Sequence, residues 1–324
     1  MSIQNRQFII EPCIATVCRW GSEGLYASCR LLTVTIRQRL TMVTSVPCWT
    51  HIVLRKRPIK NVLLWLITAG GCLAFSTHSR ERAVLLEDFE QASNNGLYGL
   101  LLENQYLEVV ESERVGNSRA LRATYQGSAR GSERITERLF LGERGPEYTL
   151  SYDVKFDEDF QFVKGGKLHG LGPDAPITGV RAMQPAGWSA RVTFKEGGHV
   201  RSYLYCQNKD GRYGTGKYNQ KFRFEKEQYY SVSLHVRLNG AADARDGFAD
   251  IYINGERVIQ HDDVQFRAAT EQKSLISTFL FSTFHGGNKP RWAPRDFRGN
   301  YQDVHAHFDN LAVYRGRRIR DGAK

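Results

Sequence analysis

Apolar and polar residues alternate with a period of two along most of the chain after residue 82, as in β-strands that have one buried face. The clearest strands are rich in β-branched and aromatic residues, are bounded by Gly, Asn, Asp or Pro, and lie at 148–156, 229–238, 248–255 and 275–284. Shorter strands are expected at 85–90 and 307–314. No long helical pattern interrupts them. We therefore predict an all-β domain, a sandwich of two antiparallel sheets whose terminal strands are neighbours.

The hairpin from Trp188 to Cys206, WSARVTFKEGGHVRSYLYC, has one apolar face and one polar face. The apolar face carries Trp188, Ala190, Val192, Phe194, Val200, Leu204 and Cys206, and only Ser202 interrupts it. The other face collects hydroxyl groups, phenols and cations without a carboxylate: Ser189, Arg191, Thr193, Lys195, His199, Arg201, Tyr203 and Tyr205. A two-residue loop at Gly197 and Gly198 would mix the faces, whereas a three-residue loop that includes Glu196 keeps one face dry. This register pairs Arg191 with Tyr203 and Ser189 with Tyr205.

The polar face suits the β-elimination of a uronic acid within a polysaccharide. That reaction removes the C5 proton, spreads charge into the C6 carboxylate and expels the C4 glycosidic oxygen, so it needs a base, a proton donor and cations. A tyrosine whose pKa of roughly 10 is lowered by nearby cations can be the base. Hydrolysis would instead require a pair of carboxylates. Asp157, Glu158 and Asp159 lie in a nearby predicted loop, which we interpret as a solvated turn.

A second informative stretch, FVKGGKLHGLGP at 162–173, places two lysines in a glycine-rich run. The order KGGKL, WSAR at 188–191, YLY at 203–205 and STFHGG at 282–287 resembles the family 14 polysaccharide lyases, which include alginate lyases and glucuronan-active relatives. The resemblance covers roughly 148–314. It implies a β-jelly roll with a concave substrate cleft, and a catalytic group made of Lys167, Ser189, Arg191, Tyr203 and Tyr205. His169 stands where relatives more often have proline, which bears on substrate preference.

Because cations cluster with two phenols on a face without carboxylates, we expect one tyrosine both to take the C5 proton and to return it to the leaving oxygen. Tyr205 is slightly preferred over Tyr203 because Ser189 is its expected neighbour, and Ser189 would orient a phenol or a sugar hydroxyl. Lys167 and Arg191 would neutralise the carboxylate. The residues expected to bind substrate are Lys164, His169, Arg201, His285, Asn288, Lys289 and Arg291. The last four belong to the stretch 284–294, which is either a loop over the glycan or an ordinary surface loop.

No catalytic metal or cofactor is predicted. His305 and His307 share a strand face in DVHAH, but two histidines at this spacing without a clear third ligand are more typical of a solvated edge strand than of a metal site. Asp88, Glu90 and Asp309 lie near the two ends of the domain, where they could share a structural calcium ion.

Charge and cysteine content divide the chain near residue 79. The net charge is +11, but nine Lys/Arg and two Asp/Glu precede residue 79, so the remainder is only +4 and nucleic acid is not an expected partner. Five of the six cysteines also precede residue 79, and Cys206 alone follows it. The main domain is therefore expected to depend on its core rather than on disulfides.

The segment 55–78 resembles an export signal, because RKRPIK precedes the apolar run NVLLWLITAGGCLAF. We expect a secreted or periplasmic protein, with Cys72 as a possible lipoprotein anchor and without a stable membrane span in the mature form. Residues 1–54 precede the signal and suggest a start assigned too early, with Met42 as an alternative start. The lyase domain would occupy 79–324.

Two classes of function remain from the sequence. The first is a lyase acting on an acidic polysaccharide such as alginate or glucuronan, expected to be a monomer. The second is a non-catalytic carbohydrate-binding sandwich, since arginines and tyrosines also suit a sugar-binding surface. Lys167, in its family context, favours the lyase.

Overall fold

The structure, a computed structural model, describes residues 83–92, 96–112 and 118–322, and the backbone of 20–21 and 24–25. The chain forms two units, Met1–Phe75 and Ser76–Lys324. In the first unit, strand β1 (Trp20–Gly21) pairs with β2 (Gly24–Leu25). The predicted export signal at 55–78 and the alternative start at Met42 lie outside the described residues and stay predictions.

The second unit is built almost entirely of strands. They are β3 (Leu85–Glu87), β4 (Leu107–Glu111), β5 (Arg119–Tyr125), β6 (Gly127–Ser128), β7 (Gly131–Ser132), β8 (Ile135–Gly145), β9 (Glu147–Phe156), β10 (Gly165–Gly172), β11 (Ser189–Lys195), β12 (His199–Tyr205), β13 (Tyr218–Arg223), β14 (Tyr230–Arg237), β15 (Gly247–Ile253), β16 (Glu256–Val264), β17 (Ile276–His285) and β18 (Val304–Arg315). One α-helix, α1 (Gly96–Leu102), and three 3₁₀ turns, Glu196–Gly198, Gln272–Ser274 and Pro290–Trp292, complete the described elements.

Two antiparallel sheets form a sandwich, which confirms the predicted fold class. The six-stranded sheet has the order β13-β12-β11-β10-β17-β8. The eight-stranded sheet has the order β16-β15-β14-β9-β18-β5-β4, and β3 also pairs with β18. The terminal strands β3 and β18 are therefore neighbours, as predicted. In contrast, β18 lies between β9 and β5 and is not the edge strand that its two histidines suggested.

The core lies between the sheets and is filled by the apolar faces of both. In the hairpin β11–β12, Ala190, Val192 and Phe194 are completely buried, and Phe194 contacts Phe156 and Phe160 at ring-centroid distances of 5.7 and 5.5 Å. Each such aromatic pair contributes about 0.5–1.5 kcal/mol beyond its buried area. Cys206 is a buried free thiol, so the described part of this unit is stabilised by packing rather than by a disulfide. Among the described residues, no helix is long and apolar enough to span a membrane.

The predicted register of the hairpin β11–β12 is confirmed. Ser189 lies opposite Tyr205 and Arg191 opposite Tyr203, and the three residues 196–198 form the loop. Gly197 and Gly198 have φ angles of +71° and +81°, a region that favours glycine, so this loop depends on both. At the other hairpin, Asn254 and Gly255 also have positive φ and connect β15 to β16 as a two-residue turn.

Candidate active site

A cavity of about 310 Å³ lies on the outer face of the six-stranded sheet. Strands β8, β10, β11, β12 and β17 and the segment 178–179 contribute its walls. The lining residues are Arg134, Thr136, Glu137, Arg138, Lys167, Thr178, Gly179, Arg191, Tyr203, Tyr205, Leu280, Phe281, Ser282 and Phe284. Four of the five residues expected to be catalytic therefore meet at one cavity, and the fifth, Ser189, lies directly behind it.

Arg191 is held in place by two hydroxyl groups. Its Nη1 donates to Ser189 Oγ at 2.9 Å and its Nε donates to Ser282 Oγ at 3.4 Å. Burial lowers the pKa of Arg191 to about 10, which still leaves the guanidinium charged at neutral pH. Gly170 lies under this side chain, since a Cβ there would be 2.5 Å from Arg191 Cγ and 2.1 Å from Ala190 O. Strand β10 therefore needs glycine at position 170, where the side chain of Arg191 crosses it.

Ser189 has a different role from the one expected. Its side chain is completely buried, and its hydroxyl donates to Ile177 O at 2.7 Å while it accepts from Arg191. The hydroxyl proton is thus used within the protein, and the oxygen orients a guanidinium rather than a phenol or a sugar. The expectation that Ser189 orients a phenol or a sugar hydroxyl is wrong for this structure, although Ser189 does lie opposite Tyr205, which was the reason for preferring Tyr205.

The hydroxyl groups of Tyr203 and Tyr205 share a hydrogen bond, and a contact of Tyr205 with the backbone determines which of them donates. Tyr205 Oη donates to Gly179 O at 2.5 Å, so the 3.2 Å contact between the two hydroxyls uses the proton of Tyr203. Gly214 N–H donates to Tyr203 Oη at 3.3 Å. Burial, followed by the contact with Tyr203, raises the pKa of Tyr205 well above its ordinary value. Tyr205 is buried and keeps its proton, while Tyr203 is partly exposed at the cavity.

Lys167 lies over the ring of Tyr203, with its Nζ 3.2 Å from the ring centroid. Burial lowers the pKa of Lys167 well below its ordinary value, and Arg191, Arg201, Lys195 and Arg134 lower it further by repulsion. Lys167 therefore loses its proton more readily than an ordinary lysine, and its amine can act as a base.

A β-bulge in β10 fixes which of its side chains reach the cavity. Lys167 lies opposite Thr193, but Gly170 lies opposite Arg191, so β10 has one additional residue in this interval. The bulge turns His169 into the core, where it is completely buried and its ring stacks on Phe281 at 4.2 Å. Burial lowers the pKa of His169 to about 3. The expectation that His169 binds substrate is therefore wrong, because simple alternation does not hold across a bulge.

His285 is likewise buried rather than exposed to substrate. It continues the inward face of β17, its Nε2 lies 2.6 Å from Gln161 O, and its ring stacks on Phe160 at 5.3 Å. Burial lowers its pKa to about 4. Strand β17 runs through His285, so the loop within 284–294 begins only at Gly286, and the expectation that His285 binds substrate is wrong.

The other residues expected to bind substrate lie around the cavity. Arg201 lies near the Tyr203 ring at 5.5 Å, and Lys164 is paired with Glu196 at 2.8 Å. Asn288 Oδ1 accepts a hydrogen bond from Arg134 at 2.8 Å and so helps to position an arginine that lines the cavity. Lys289 is exposed and Arg291 lines an adjoining depression.

Sequence reasoning missed the contribution of β8. This strand brings Glu137 and Arg138 to the cavity, Arg134 reaches it from the position just before the strand, and Glu137 is the only carboxylate among the described lining residues. Its Oε1 accepts from Asn104 Nδ2 at 3.0 Å. Alternating residues in ITERLFLG did signal a strand, but the position of that strand beside β17 could not be read from it. A single carboxylate does not provide the pair that glycoside hydrolysis uses.

The acidic segment 157–159 lies on the outer face of the other sheet. Asp157, Asp159 and His305 place three ligand atoms within 4.8 Å of one another, and His307 Nε2 is 3.3 Å from Asp157 Oδ2. Lys155 lies 3.7 Å from Asp157, and although burial raises the pKa of that carboxyl group, the contact with His307 and the charge of Lys155 lower it overall. This group is remote from the cavity, in agreement with its interpretation as a polar turn.

The calcium site expected at Asp88, Glu90 and Asp309 is not formed among the described residues. Asp88 Oδ1 accepts from the backbone of Glu90, and Glu90 Oε1 accepts from the backbone of Arg119. Asp309 is buried and accepts from the backbone of Asn310. These three carboxylates do not form a group of converging ligand atoms among the described residues.

Comparison with known proteins agrees with this site. The family model described as polysaccharide lyase 14 matches residues 116–311. The class of protein defined by fold and site is a polysaccharide lyase. Because the match covers more than half of the chain, this chain belongs to the polysaccharide lyase 14 family. A search of curated protein sequences found no match.

Solved structures share the fold. Alginate lyase Aly36B is 23% identical, with a TM-score of 0.56 over 72% of this chain and 98% of that chain. The alginate lyase of Aplysia kurodai is 22% identical, with a TM-score of 0.55 over 72% and 99%. The endo-β-1,4-glucuronan lyase of Trichoderma reesei is 16% identical, with a TM-score of 0.50 over 72% and 96%. At these identities, the likeness establishes the sandwich architecture.

Proposed function

We propose that the protein cleaves a polyuronate, of the alginate or glucuronan type, by β-elimination in the cavity on the six-stranded sheet. The observation that carries this proposal is the position of Lys167, whose Nζ lies 3.2 Å from the Tyr203 ring centroid and whose pKa is well below its ordinary value. A base and a phenolic acid thus lie side by side among cations. Structural relatives named as alginate and glucuronan lyases support the choice of substrate class.

The cations of the cavity bind the uronate carboxylate. Arg191 is the best placed, since Ser189 and Ser282 fix its guanidinium and its burial strengthens any ion pair that it makes. Arg138 and Arg134 line the same cavity. Withdrawal of charge into a bound carboxylate makes the C5 proton more acidic and stabilises the negative charge that develops in the transition state.

Lys167 takes the C5 proton as a neutral amine, and Tyr203 donates its proton to the departing C4 oxygen. This assignment replaces the single-tyrosine mechanism expected from the sequence. Tyr205 is a poor base because burial holds its proton and that proton is donated to Gly179 O. Tyr203 has the transferable proton, and Lys167 and Arg201 beside its ring stabilise the phenolate that forms.

The positions of Lys167 and Tyr203 also fit the stereochemistry. In mannuronate and glucuronate, the C5 proton and the C4 oxygen lie on the same side of the sugar ring. The C5 proton must then be removed, and a proton delivered to the C4 oxygen, on the same side of the sugar. Lys167 and Tyr203 both reach the cavity from one face of the sheet, because they lie on strands β10 and β12 on either side of β11. The geometry therefore favours polymers with this relative configuration.

The test is to add purified alginate, glucuronan and a neutral polysaccharide to the protein and to follow the ultraviolet absorbance of the unsaturated uronate. Product is expected from at least one polyuronate and none from the neutral control. New reducing ends without an unsaturated product would indicate hydrolysis, and binding without either product would indicate a carbohydrate-binding module. Membership of a lyase family disfavours that second function.

We also infer that the protein is exported and acts as a monomer on this polymer outside the cytoplasm. The basic and apolar run at 55–78 supports export. N-terminal sequencing of protein from its native host should find a start beyond this segment, and light scattering should give the mass of one chain. An intact Met1 or a stable dimer would contradict the corresponding inference.

A further inference from the structure

A second depression, of about 520 Å³, lies on the same sheet face as the proposed reaction site. It is lined by Lys164, Lys195, Glu196, Tyr218, Arg291 and Trp292. Lys195 follows Arg191 by four residues on β11, so both side chains point to the same face about 13 Å apart along the strand. Between them, Thr193 lies opposite Lys167. The depression is therefore the continuation of the reaction site along β11.

Trp292 forms a fixed aromatic wall of this depression. Its indole packs directly over Gly287, where a Cβ would lie 2.5 Å from the ring, and Gly287 has a φ angle of +87° that favours glycine. The segment is tied to the sheet, because Gly286 N–H donates to Gly165 O at 3.0 Å and Arg134 donates to Gly287 O at 2.9 Å. The indole is thus held by its surroundings before any ligand binds.

The charges of the depression are unevenly compensated. Lys164 is neutralised by Glu196, with both carboxylate oxygens at 2.8 Å. Within the described part of the chain, no carboxylate lies within ion-pair distance of Lys195 or Arg291. Burial lowers the pKa of Lys195, as do Arg201 and Lys164 by repulsion, while Glu196 acts in the opposite direction. A bound anion would relieve this repulsion between cations.

Lys195 and Trp292 combine the two contacts that a uronate needs. Lys195 Nζ lies 5.3 Å from the Trp292 ring centroid, so a cation and an aromatic face border the same space. A pyranose ring presents aliphatic C–H groups on its face and, in a uronate, a carboxylate at its rim. The indole can cover the apolar face while Lys195 and Arg291 pair with the carboxylate.

We propose that this depression is a subsite for a uronate unit of the polymer that lies beyond the cleaved bond, and that Trp292 is the residue on which its ring packs. The proposal rests on the proposed lyase function and adds a requirement for substrate length. Binding of a remote unit positions the reacting unit against Lys167 and Tyr203. Long chains then gain affinity from the subsite, whereas oligosaccharides too short to reach it do not.

The test compares Trp292→Ala with Phe297→Ala as a matched control. Phe297 is an aromatic residue of the same region, is 93% exposed and does not line the depression. We expect Trp292→Ala to raise KM for the polymer about tenfold and to leave kcat within about twofold, while KM for a uronate trisaccharide stays unchanged. Trp292→Tyr should restore most of the affinity, because it keeps a flat ring. Phe297→Ala should match the wild type on both substrates.

Arg291→Gln supplies a second variant, which tests the charge without removing the ring. It should raise KM for the polymer and reduce its dependence on salt concentration. Thermal melting verifies that each variant folds. Equal losses on trisaccharide and polymer, or no difference between Trp292→Ala and Phe297→Ala, would overturn the subsite.

The failure of the subsite and the failure of the proposed function are distinguishable. A wild-type protein that makes no unsaturated product from any polyuronate refutes the lyase mechanism. Calorimetric titration of the same variants with alginate and glucuronan then still decides the subsite. Affinity that falls in Trp292→Ala and not in Phe297→Ala supports it, and equal affinity or no binding overturns it.

Discussion

The outer faces of the two sheets carry different arrangements of charge. On the eight-stranded sheet, Asp157 lies beside Lys155 and His307, and Asp159 lies beside His305, so each of these two carboxylates has a basic partner. On the six-stranded sheet, burial and four neighbouring cations lower the pKa of Lys167, and Glu137 is the only carboxylate among the described residues that line the cavity.

The requirements of folding explain the charges on the outer face of the eight-stranded sheet, but they do not explain those on the outer face of the six-stranded sheet. Alternation places polar side chains outside on both sheets, but on the second face the cations Lys167, Arg191 and Lys195 have no carboxylate within ion-pair distance among the described residues. Gathering cations on the second face opposes folding through mutual repulsion, and natural proteins retain such features where function requires them. We therefore expect substitutions on the second face to reduce activity and substitutions on the first face to leave activity unchanged.

The largest effect is expected from Lys167→Met, with Lys155→Met on the other sheet as the matched control. Loss of the base should reduce kcat on the polyuronate by at least about 10²-fold. Lys155 pairs with Asp157 and Glu227, so its replacement should lower thermal stability and leave kcat within about twofold. Initial rates and melting temperatures of both variants check the prediction. Equal losses of activity would show that neither face is specific to catalysis.

Proton transfer by Lys167 also predicts a pH dependence. Its neutral amine is the reactive form, so kcat/KM of the wild type should rise with pH through the lysine pKa, which burial and neighbouring cations place well below the ordinary value. Arg201→Gln removes one of these cations, raises that pKa and should move the rise to higher pH. An unchanged pH profile in this variant would argue against Lys167 as the titrating base.

The next largest effect on kcat is expected to differ between the two tyrosines. Tyr203→Phe removes the proton donated to the leaving oxygen and should lower kcat by about 10²-fold. Tyr205→Phe removes only the partner that accepts from Tyr203 and donates to Gly179, so we expect a loss of about tenfold or less. Rates on the same polymer decide between them. A larger loss in Tyr205→Phe would reverse the assignment.

A smaller effect, on stability, is expected from the buried His169. Its pKa is about 3 in the folded protein and roughly 6.5 when unfolded, so the unfolded chain binds more protons between these values. The contribution of neutral His169 to the free energy of unfolding is therefore complete above about pH 6.5 and is lost as the pH falls towards 3. His169→Phe should reduce the acid destabilisation at about pH 5 by ~2 kcal/mol.

Chemical denaturation at about pH 7 and about pH 5 measures this difference. His285, which has a pKa of about 4, contributes in the same direction, so His169→Phe should remove only part of the acid sensitivity. Identical pH dependence in the variant and the wild type would show that His169 does not remain neutral on folding.

The smallest effect is expected at the acidic group on the eight-stranded sheet. Asp159→Asn disrupts the contact with His305 and the grouping with Asp157, yet both are remote from the cavity. We expect kcat and KM on the polyuronate to stay within about twofold of the wild type, with or without a chelator. A large loss of activity would make this second face part of the catalytic machinery.

The sequence predicted the hairpin β11–β12 well because one dry face and a Gly-Gly loop permit only one register. It therefore placed Ser189, Arg191, Tyr203 and Tyr205 correctly relative to one another. The same pattern did not reveal that Ser189 is completely buried or that Tyr205 is enclosed, because a local period says nothing about the segment 177–179 that covers them.

Other features depend on how strands assemble, which alternation does not encode. No residue type in β10 marks the position of the additional residue in its bulge. His169 was therefore assigned to the wrong side of the strand. The position of β8 beside β17, with its arginines and Glu137, and the interior position of β18 are consequences of sheet order. They were not predictable from the separate strands.

The bulge in β10 also defines which positions are suitable for engineering. Because Leu168 and His169 both face the core, variation there alters the packing between sheets, whereas Thr136, Arg138 and Thr178 border the cavity without filling the core. A library that varies these three positions and keeps 168–169 constant would change the surface offered to the sugar while it retains the scaffold. Deletion of one residue from 168–169 would remove the additional residue of the bulge, so β10 would return to strict alternation while Lys167 and Gly170 kept their positions opposite Thr193 and Arg191.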